Sequence, residues 1–159
     1  MNITAKVREQ LGSAWIPTLY AEKVRSGRTR SYHIDVPGRE NQAEILFTLL
    51  GIEIRVGRRR FASPDLAAAR YIQAFARIGC SDFAVPYDIT RIGPIADELE
   101  VSWQRSLLLL EIETVGRPSR SRSHFRSALV REMRVEIQAA GAGPAMPEFR
   151  RSTKQRPAK

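Results

Sequence analysis

The chain has 159 residues, a formal net charge of +9 at pH 7 and a hydrophobic fraction of 43%. This length predicts a single domain that buries a core without disulfides or metals. The lone cysteine, Cys80, excludes an intramolecular disulfide, and the longest aliphatic run, 107–110, is far shorter than the roughly 20 residues of a membrane span. The first residues lack the apolar stretch of a secretory signal, so we expect a cytoplasmic protein.

The charges are unevenly distributed along the chain. Residues 1–60 carry 11 Lys or Arg against 6 Asp or Glu, residues 61–115 carry 4 against 8, and residues 116–159 carry 11 against 3. Two basic flanks therefore surround a mildly acidic middle. This layout predicts a packed middle and a cationic surface for a polyanion, with nucleic acid as the leading candidate.

The first third of the sequence predicts a β-hairpin. Residues 2–12 fit either a short amphipathic turn or a strand. Residues 31–36 alternate between polar and apolar, which is the period of a half-buried strand. The run 15–24 is rich in aromatic and β-branched residues, and Pro17 within it favours an edge strand. We expect the two strands to meet at a turn over 25–28.

The next segments predict a helix followed by a strand. Residues 40–50 begin with acidic residues and continue with a stripe of Ile and Leu, so we expect a helix that ends at Gly51. Residues 52–56 alternate strictly and predict a strand with one buried face. The arginines at 58–60 are expected to form a turn or bulge, after which residues 61–62 pair back.

The second half predicts helices around one short strand. Ser63 is the expected N-cap of a helix that starts with Pro64 and ends at Gly79. Residues 83–85 predict a buried strand. Residues 94–115 predict a helix whose leucine run is apolar all round, which places that run at the centre of the core.

The last part predicts a connector, a helix and a tail. Residues 119–123 read as a flexible Ser/Arg connector, followed by a helix through Phe125 and Ile137. Residues 141–159 combine Gly, Pro and charge with few apolar side chains, so a disordered basic tail should follow a single domain, 1–140. The expected fold class is α+β, a small sheet with an N-terminal hairpin packed with about four helices.

Three arginine clusters are the candidate nucleic-acid-binding sites, because arginine binds phosphate bidentately and stacks on bases. One lies on the predicted hairpin, one between two strands and one in the Ser/Arg connector. The candidate residues are Arg25, Arg28, Arg30, Arg58, Arg59, Arg60, Arg117, Arg120 and Arg122. Each cluster also fits a solvated turn with no binding role, and the basic tail would add salt-sensitive affinity.

Asp35 and Glu53, with Arg55 two residues later, form the best catalytic candidate. Metal-dependent nucleases place an acid on one strand and Glu-x-Lys on the next, where the carboxylates bind Mg²⁺. Here arginine replaces the lysine and a predicted helix separates the strands, so outward-facing strand residues explain them better. We predict no catalytic residue, metal or cofactor, with a nuclease left as an alternative.

Cys80 fits either a buried, inert thiol or one member of a Cys–His pair with His33 or His124. Two histidines and one cysteine are too few for a four-ligand zinc site without carboxylates.

The leading hypothesis is a non-enzymatic intracellular protein that binds the phosphate backbone of RNA or DNA through these arginines. The alternative is a protein–protein adaptor or a self-associating protein. In that case the acidic middle and the basic flanks would bind an acidic partner or a second copy.

Overall fold

The computed structural model describes residues 2–143 of the chain. The helices and strands are α1 (Ile3–Leu11), α2 (Ile16–Leu19), β1 (Thr29–His33), β2 (Ala43–Thr48), β3 (Gly51–Val56), β4 (Arg59–Ser63), α3 (Leu66–Ile78), β5 (Asp82–Pro86), α4 (Ile92–Glu113) and α5 (Ser119–Ala140). A π-helix, Tyr20–Arg25, continues α2, and short 3-10 turns occupy Gly12–Ala14 and Ile89–Arg91.

The strands form two antiparallel sheets. β1 pairs with β5, with Thr29 opposite Pro86. β2, β3 and β4 form a meander in chain order, and Ile54 at its centre lies opposite Ile45 and Phe61. This face of the meander packs on α3, and Ile54 is fully buried there. The α+β fold class is therefore confirmed.

Residues 16–25 are helical and Trp15 precedes the first helical turn, so the predicted N-terminal hairpin is wrong. Trp15, Leu19 and Tyr20 recur at helical spacing, and all three are buried. Pro17 lies in the first turn of α2, where no intrahelical bond needs its missing N–H. Since this segment forms no strand, β1 pairs instead with the distant β5.

Side-chain caps define the starts of two helices. Asn2 caps α1, which settles the open choice at the N-terminus in favour of a helix. Asp65 caps α3, its Oδ1 accepting the N–H of Ala68 at 2.8 Å. Ser63, the expected cap, lies in β4 instead, because the strand continues to that residue. The predicted end of α3 at Gly79 is confirmed.

Residues 40–50 contain the strand β2, so the helix predicted there is wrong. β2 pairs along its whole length with β3, Ile45 lying opposite Ile54, and Glu44 on β2 accepts a hydrogen bond from Arg55 on β3 at 2.7 Å. Leu49 and Leu50, expected in a buried stripe, are fully exposed in the β2–β3 turn. The predicted strand at 52–56 and its pairing with 61–62 are confirmed by β3 and β4.

Helix α4 is confirmed, and it packs against α1, α3 and α5. Leu99, Trp103 and Leu110 are buried on its inner side. The prediction that the leucine run is buried all round is wrong, because Leu108 is 57% exposed. At the level of the leucine run, other elements pack against only part of the circumference of α4.

Helix α5 begins at Ser119, so the predicted flexible connector is wrong. Pro118 has an extended backbone and precedes the first helical turn. Leu129, Met133 and Ile137 bury one side of α5 in the core. Because serine and arginine do not break helices, this packing carries the helix through the whole Ser/Arg segment.

Three residues after α5 complete the described chain. The Gly141 carbonyl accepts a hydrogen bond from the Tyr20 hydroxyl at 2.5 Å, and Gly143 lies against Arg25. The remainder of the predicted tail, 144–159, lies outside the described residues. Among the helices of residues 2–143, none combines the length and apolar character needed to span a bilayer.

Candidate functional site

The three arginines of the first cluster have two different roles in the structure. Arg25 ends the π-helix, and its Nε donates to the Ala140 carbonyl at 3.0 Å, which ties the π-helix to the end of α5. Arg28 lies over the Tyr87 ring, 4.1 Å from its centroid. Arg30 is exposed on β1 and has no ion-pair partner in the described part of the chain. Arg25 therefore fastens the fold, whereas Arg28 and Arg30 remain at the surface.

The second cluster lies at the β3–β4 turn and the start of β4. Arg59 forms an ion pair with Asp35 at 2.7 Å, and Arg60 forms one with Glu53 at 3.4 Å. Arg58 is exposed in the turn and has no such partner within residues 2–143. Of these three guanidinium groups, that of Arg58 is thus the one without a carboxylate partner within residues 2–143.

The third cluster lies at the start of α5. Arg117 stacks on Phe125 at 5.1 Å. Arg120 and Arg122 point to opposite sides of the helix, because two residues span roughly 200° of rotation. Arg122 lines a groove between α4 and α5, whereas Arg120 is exposed on the far side.

Of the candidate arginines, only Arg122 lines a surface depression formed by three adjoining pockets, although Arg58 directly follows the lining residue Gly57 in sequence. This depression extends from Gly57 across the loop 39–42 to Arg122 between α4 and α5. Its three parts have volumes of about 430, 390 and 590 Å³, and neighbouring parts share lining residues. We call it the arginine groove. Its charged lining residues are Arg39, Arg55, Arg77, Arg122, Arg126, Glu40, Glu44 and Glu111.

Arg126 is held at the middle of the arginine groove. Its Nε donates to both carboxylate oxygens of Glu40, at 2.9 and 3.0 Å. These hydrogen bonds raise the pKa of Arg126 despite the opposing effect of burial. The ring of Trp103, which is 5% exposed, lies 5.9 Å from the Arg126 guanidinium and 5.2 Å from that of Arg77. Both guanidinium groups are therefore fixed in direction.

Arg77 is also held by a carboxylate. Its Nη1 donates to Glu100 at 3.0 Å. Burial alone would raise the pKa of Glu100, but hydrogen bonds from Gln104 and Arg77 outweigh it and lower that pKa. By contrast, Arg39 and Arg122 have no ion-pair partner among residues 2–143.

Asp35 and Glu53, the candidate nuclease carboxylates, lie in different parts of the fold, Asp35 in the loop after β1 and Glu53 on β3. Their partners Arg59 and Arg60 are consecutive on β4, and consecutive strand residues point to opposite faces. Within residues 2–143, no group of three or more His, Cys, Asp or Glu side chains is arranged to hold a metal ion. The structure thus does not bring this pair together.

Cys80 is fully buried, and burial raises the pKa of its thiol to about 12 against the opposing charge of Arg134. At neutral pH it is a protonated core side chain. His33 pairs instead with Asp82 at the surface, at 2.9 Å, and His124 packs edge-on against Phe125.

Sequence reasoning missed an exposed apolar face on α4 and the turn that follows it. Val101, Leu108, Ile112 and Val115 are between 56% and 79% exposed, although all are large and apolar. Their spacing of seven, four and three residues places them on one side of a helix, which could have revealed this face from the sequence. The neighbouring leucines make the whole segment apolar, so the spacing does not stand out.

Comparisons with protein-family models, curated proteins and solved structures found no match for this chain. Function is therefore inferred from its own geometry.

Proposed function

We propose that this protein is a non-enzymatic, cytoplasmic nucleic-acid-binding protein that holds the phosphate backbone of RNA or DNA along the arginine groove. One observation carries the proposal. Arg39 and Arg122 line the arginine groove and have no ion-pair partner among residues 2–143, and Arg58, which also has none there, directly follows the lining residue Gly57. A guanidinium without a carboxylate partner can donate bidentate hydrogen bonds to phosphate.

The groove favours backbone contacts over base recognition. Trp103 is buried beneath Arg77 and Arg126, so it offers no face on which a base could stack. The remaining lining side chains are mostly charged or polar, and Leu107, Leu108 and Leu110 add aliphatic surface but no aromatic ring. We therefore expect little sequence preference and strong salt dependence. Three phosphate contacts predict a slope of about −2 in log K against log salt for a single strand.

The test compares two triple variants with equal net charge. Arg39→Gln/Arg58→Gln/Arg122→Gln removes the uncompensated arginines of the groove. The matched control, Arg30→Gln/Arg120→Gln/Arg131→Gln, removes three exposed arginines outside it. Binding of fluorescein-labelled single-stranded RNA, single-stranded DNA and duplex DNA of mixed sequence is measured by anisotropy across a salt series. Each protein is assayed with and without residues 144–159.

We expect the groove variant to bind more weakly and with a slope shallower by about 0.7 units per lost contact on single strands and about 0.9 on duplex DNA. The control should lose only the small effect of net charge. Equal losses in both variants would place the affinity in overall charge and remove the groove from the proposal. Binding that disappears only with residues 144–159 would move the site to the tail. If the intact protein binds no probe at low salt, nucleic-acid binding is wrong.

A further inference from the structure

The β2–β3 turn holds the two most exposed large apolar side chains of the described residues. Leu49 and Leu50 are 106% and 95% exposed, and Phe47, near the end of β2, is 73% exposed. Phe47 is level with Ser63 across the meander, and α3 begins only after that residue, so α3 does not cover the ring. We call Phe47, Leu49 and Leu50 the apolar tip. Large apolar side chains grouped in solvent mark an interaction surface.

The apolar tip lies at the end of the molecule where α3 and α4 begin. β4 ends beside the tip, and Leu66, the first residue of α3, is 44% exposed. A Cβ atom on Gly93 would lie 3.6 Å from the Cβ of Ala67, which places the first turns of α4 and α3 side by side. The 3-10 turn that precedes α4 is therefore at the same end, and its Ile89 is 73% exposed. Apolar exposure at this end thus extends beyond the hairpin.

An arginine and a tyrosine occupy the same end of the molecule. The N–H of Tyr87, which follows β5 and precedes the 3-10 turn, donates to the carbonyl of Arg28 at 3.0 Å. The Arg28 guanidinium lies over the Tyr87 ring and has no ion-pair partner among residues 2–143. The carboxylates near the starts of α3 and α4 already have partners in the fold, and they are Asp65, Asp88, Asp97 and Glu98. Arg28 is therefore a cation available to an outside anion.

The basic C-terminal segment leaves the described residues at this end. Gly143 lies against Arg25 and Thr29, and Thr29 begins β1 directly after Arg28. Residues 144–159 follow, with five Lys or Arg and one Glu. Sixteen extended residues span about 50 Å, so this segment is long enough to reach the apolar tip. A strongly basic segment and an apolar tip at one end match a surface that is negatively charged and apolar beneath.

We propose that this end of the protein binds an anionic lipid bilayer, with the apolar tip inserted among the acyl chains. Arg28 and residues 144–159 then contact the anionic headgroups, and Tyr87 lies at their level, where an amphipathic ring is favoured. A bilayer suits a convex tip, because fluid acyl chains close around it without a preformed pocket. The two signals act together, since neither a short apolar insertion nor a polybasic segment alone gives stable attachment.

The bilayer surface and the arginine groove are at different ends of α3. The loop 39–42 of the groove packs on Gly79, where a Cβ atom would collide with the backbone of Arg39. Gly79 ends α3, whereas the apolar tip lies beside its start. The inference therefore does not rest on the proposed function, and lipid binding and nucleic-acid binding are tested independently.

Co-sedimentation with lipid vesicles tests the proposal. Nuclease-treated full-length protein is mixed with phosphatidylcholine vesicles, either pure or with about one third phosphatidylserine. The protein should bind the anionic vesicles only. Leu49→Asp/Leu50→Asp should weaken that binding roughly tenfold or more, because neither leucine then enters the acyl chains. The matched control, Ile112→Asp/Val115→Asp, makes the same change of charge at exposed apolar positions near the far end of α4 and should lose only the small effect of net charge.

The proposal fails if the wild type binds neither kind of vesicle at low salt. It also fails if the tip variant binds as tightly as the control, which would leave only non-specific charge. Removal of residues 144–159 should weaken binding to the anionic vesicles, so unchanged binding of the shortened protein contradicts a role for the basic segment. A wild type that self-associates through the tip, without binding vesicles, would assign the tip to a second copy and overturn the proposal.

An environment-sensitive dye tests insertion itself. The native Cys80 is buried, so Leu50→Cys supplies one reactive thiol for labelling with nitrobenzoxadiazole. On anionic vesicles the emission of this dye should increase and shift to the blue, because the dye leaves water. The same dye on Ser123→Cys, in the arginine groove, should not change. Equal responses at both positions, or no response at Leu50→Cys, would contradict insertion of the apolar tip.

Discussion

At the scale of single residues, two tyrosine hydroxyl groups close the inner edge of the β1–β5 sheet. The Tyr20 hydroxyl accepts the N–H of Ala84 at 2.8 Å and donates to the Gly141 carbonyl at 2.5 Å. The Tyr71 hydroxyl donates to the Ala84 carbonyl at 2.6 Å. Ala84 therefore has its outward backbone groups satisfied by side chains where a third strand would otherwise pair. Burial raises the pKa of both tyrosines, so both hydroxyls keep their protons at neutral pH.

Tyr20→Phe should lower the free energy of unfolding by about 1–3 kcal/mol, since it leaves the buried N–H of Ala84 without an acceptor. Tyr32→Phe is the control, because the Tyr32 hydroxyl has no hydrogen-bond partner among residues 2–143 and the residue is half-buried. Urea unfolding of both variants measures the difference. Equal losses would mean that the Tyr20 hydrogen bonds add no measurable stability at this edge.

Cys80 should be chemically silent in the folded protein. With a thiol pKa of about 12, almost no thiolate exists at pH 8, and the sulfur is fully buried. We expect a thiol-reactive dye to label the native protein very slowly and the urea-unfolded protein stoichiometrically. Ser123→Cys, at an exposed position of α5, supplies the fast-reacting control. Rapid native labelling of Cys80 would reveal local opening around β5.

At the scale of elements, the leucine run of α4 divides into an outer and an inner side. Leu108→Asp should leave the fold intact, because this side chain is 57% exposed. Leu110→Asp should unfold the protein, because it places an unpaired charge in the core at a cost of several kcal/mol, comparable with the total stability. Circular dichroism during thermal unfolding separates the two outcomes. Similar midpoints for the two variants would contradict the assigned orientation of α4.

The sequence predicts elements well where one local signal dominates. Gly79 marks the end of α3 and the alternation at 52–56 identifies β3, whereas the start predicted at Ser63 and Pro64 is two residues early because Asp65 is the N-cap. The two errors at 15–24 and 40–50 have a common cause, since both runs have spacings compatible with a helix and with a strand. Contacts with distant residues select the helix or the strand in each case. For 15–24 the contact is the hydrogen bond of the Tyr20 hydroxyl with Ala84, and for 40–50 it is the ladder with β3.

From the sequence, the candidate site was predicted only as separate clusters of basic residues. Sequence clusters identified Arg58 and Arg122, but nothing local links them. The link is the contact between Arg126 and Glu40, which are 86 residues apart. Arg59 and Arg60 were grouped with Arg58 because their carboxylate partners, one on β3 and one after β1, are not recognisable from spacing.

At the scale of the whole molecule, contacts of residues 140–143 hold the end of α5 against the π-helix. Ending the chain after Gly143 should leave the thermal midpoint nearly unchanged, because the sequence of 144–159 offers few apolar side chains to bury. Ending it after Gln138 removes the acceptors of Arg25 and Tyr20, at about 1 kcal/mol for each hydrogen bond. Differential scanning calorimetry should show a midpoint several degrees lower for the shorter chain only. A large shift in the longer chain would assign residues 144–159 to the fold.

The division into two sheets has a consequence for the order of folding. The β2–β3–β4 meander is built from adjacent hairpins, whereas β1 and β5 pair across roughly fifty residues, at a much larger loop-closure entropy. The meander and α3 lie entirely inside that loop, so their early collapse shortens the segment that must close. We therefore expect the β1–β5 ladder to form after the rate-limiting step, and substitutions in it to accelerate unfolding while leaving the refolding rate nearly constant.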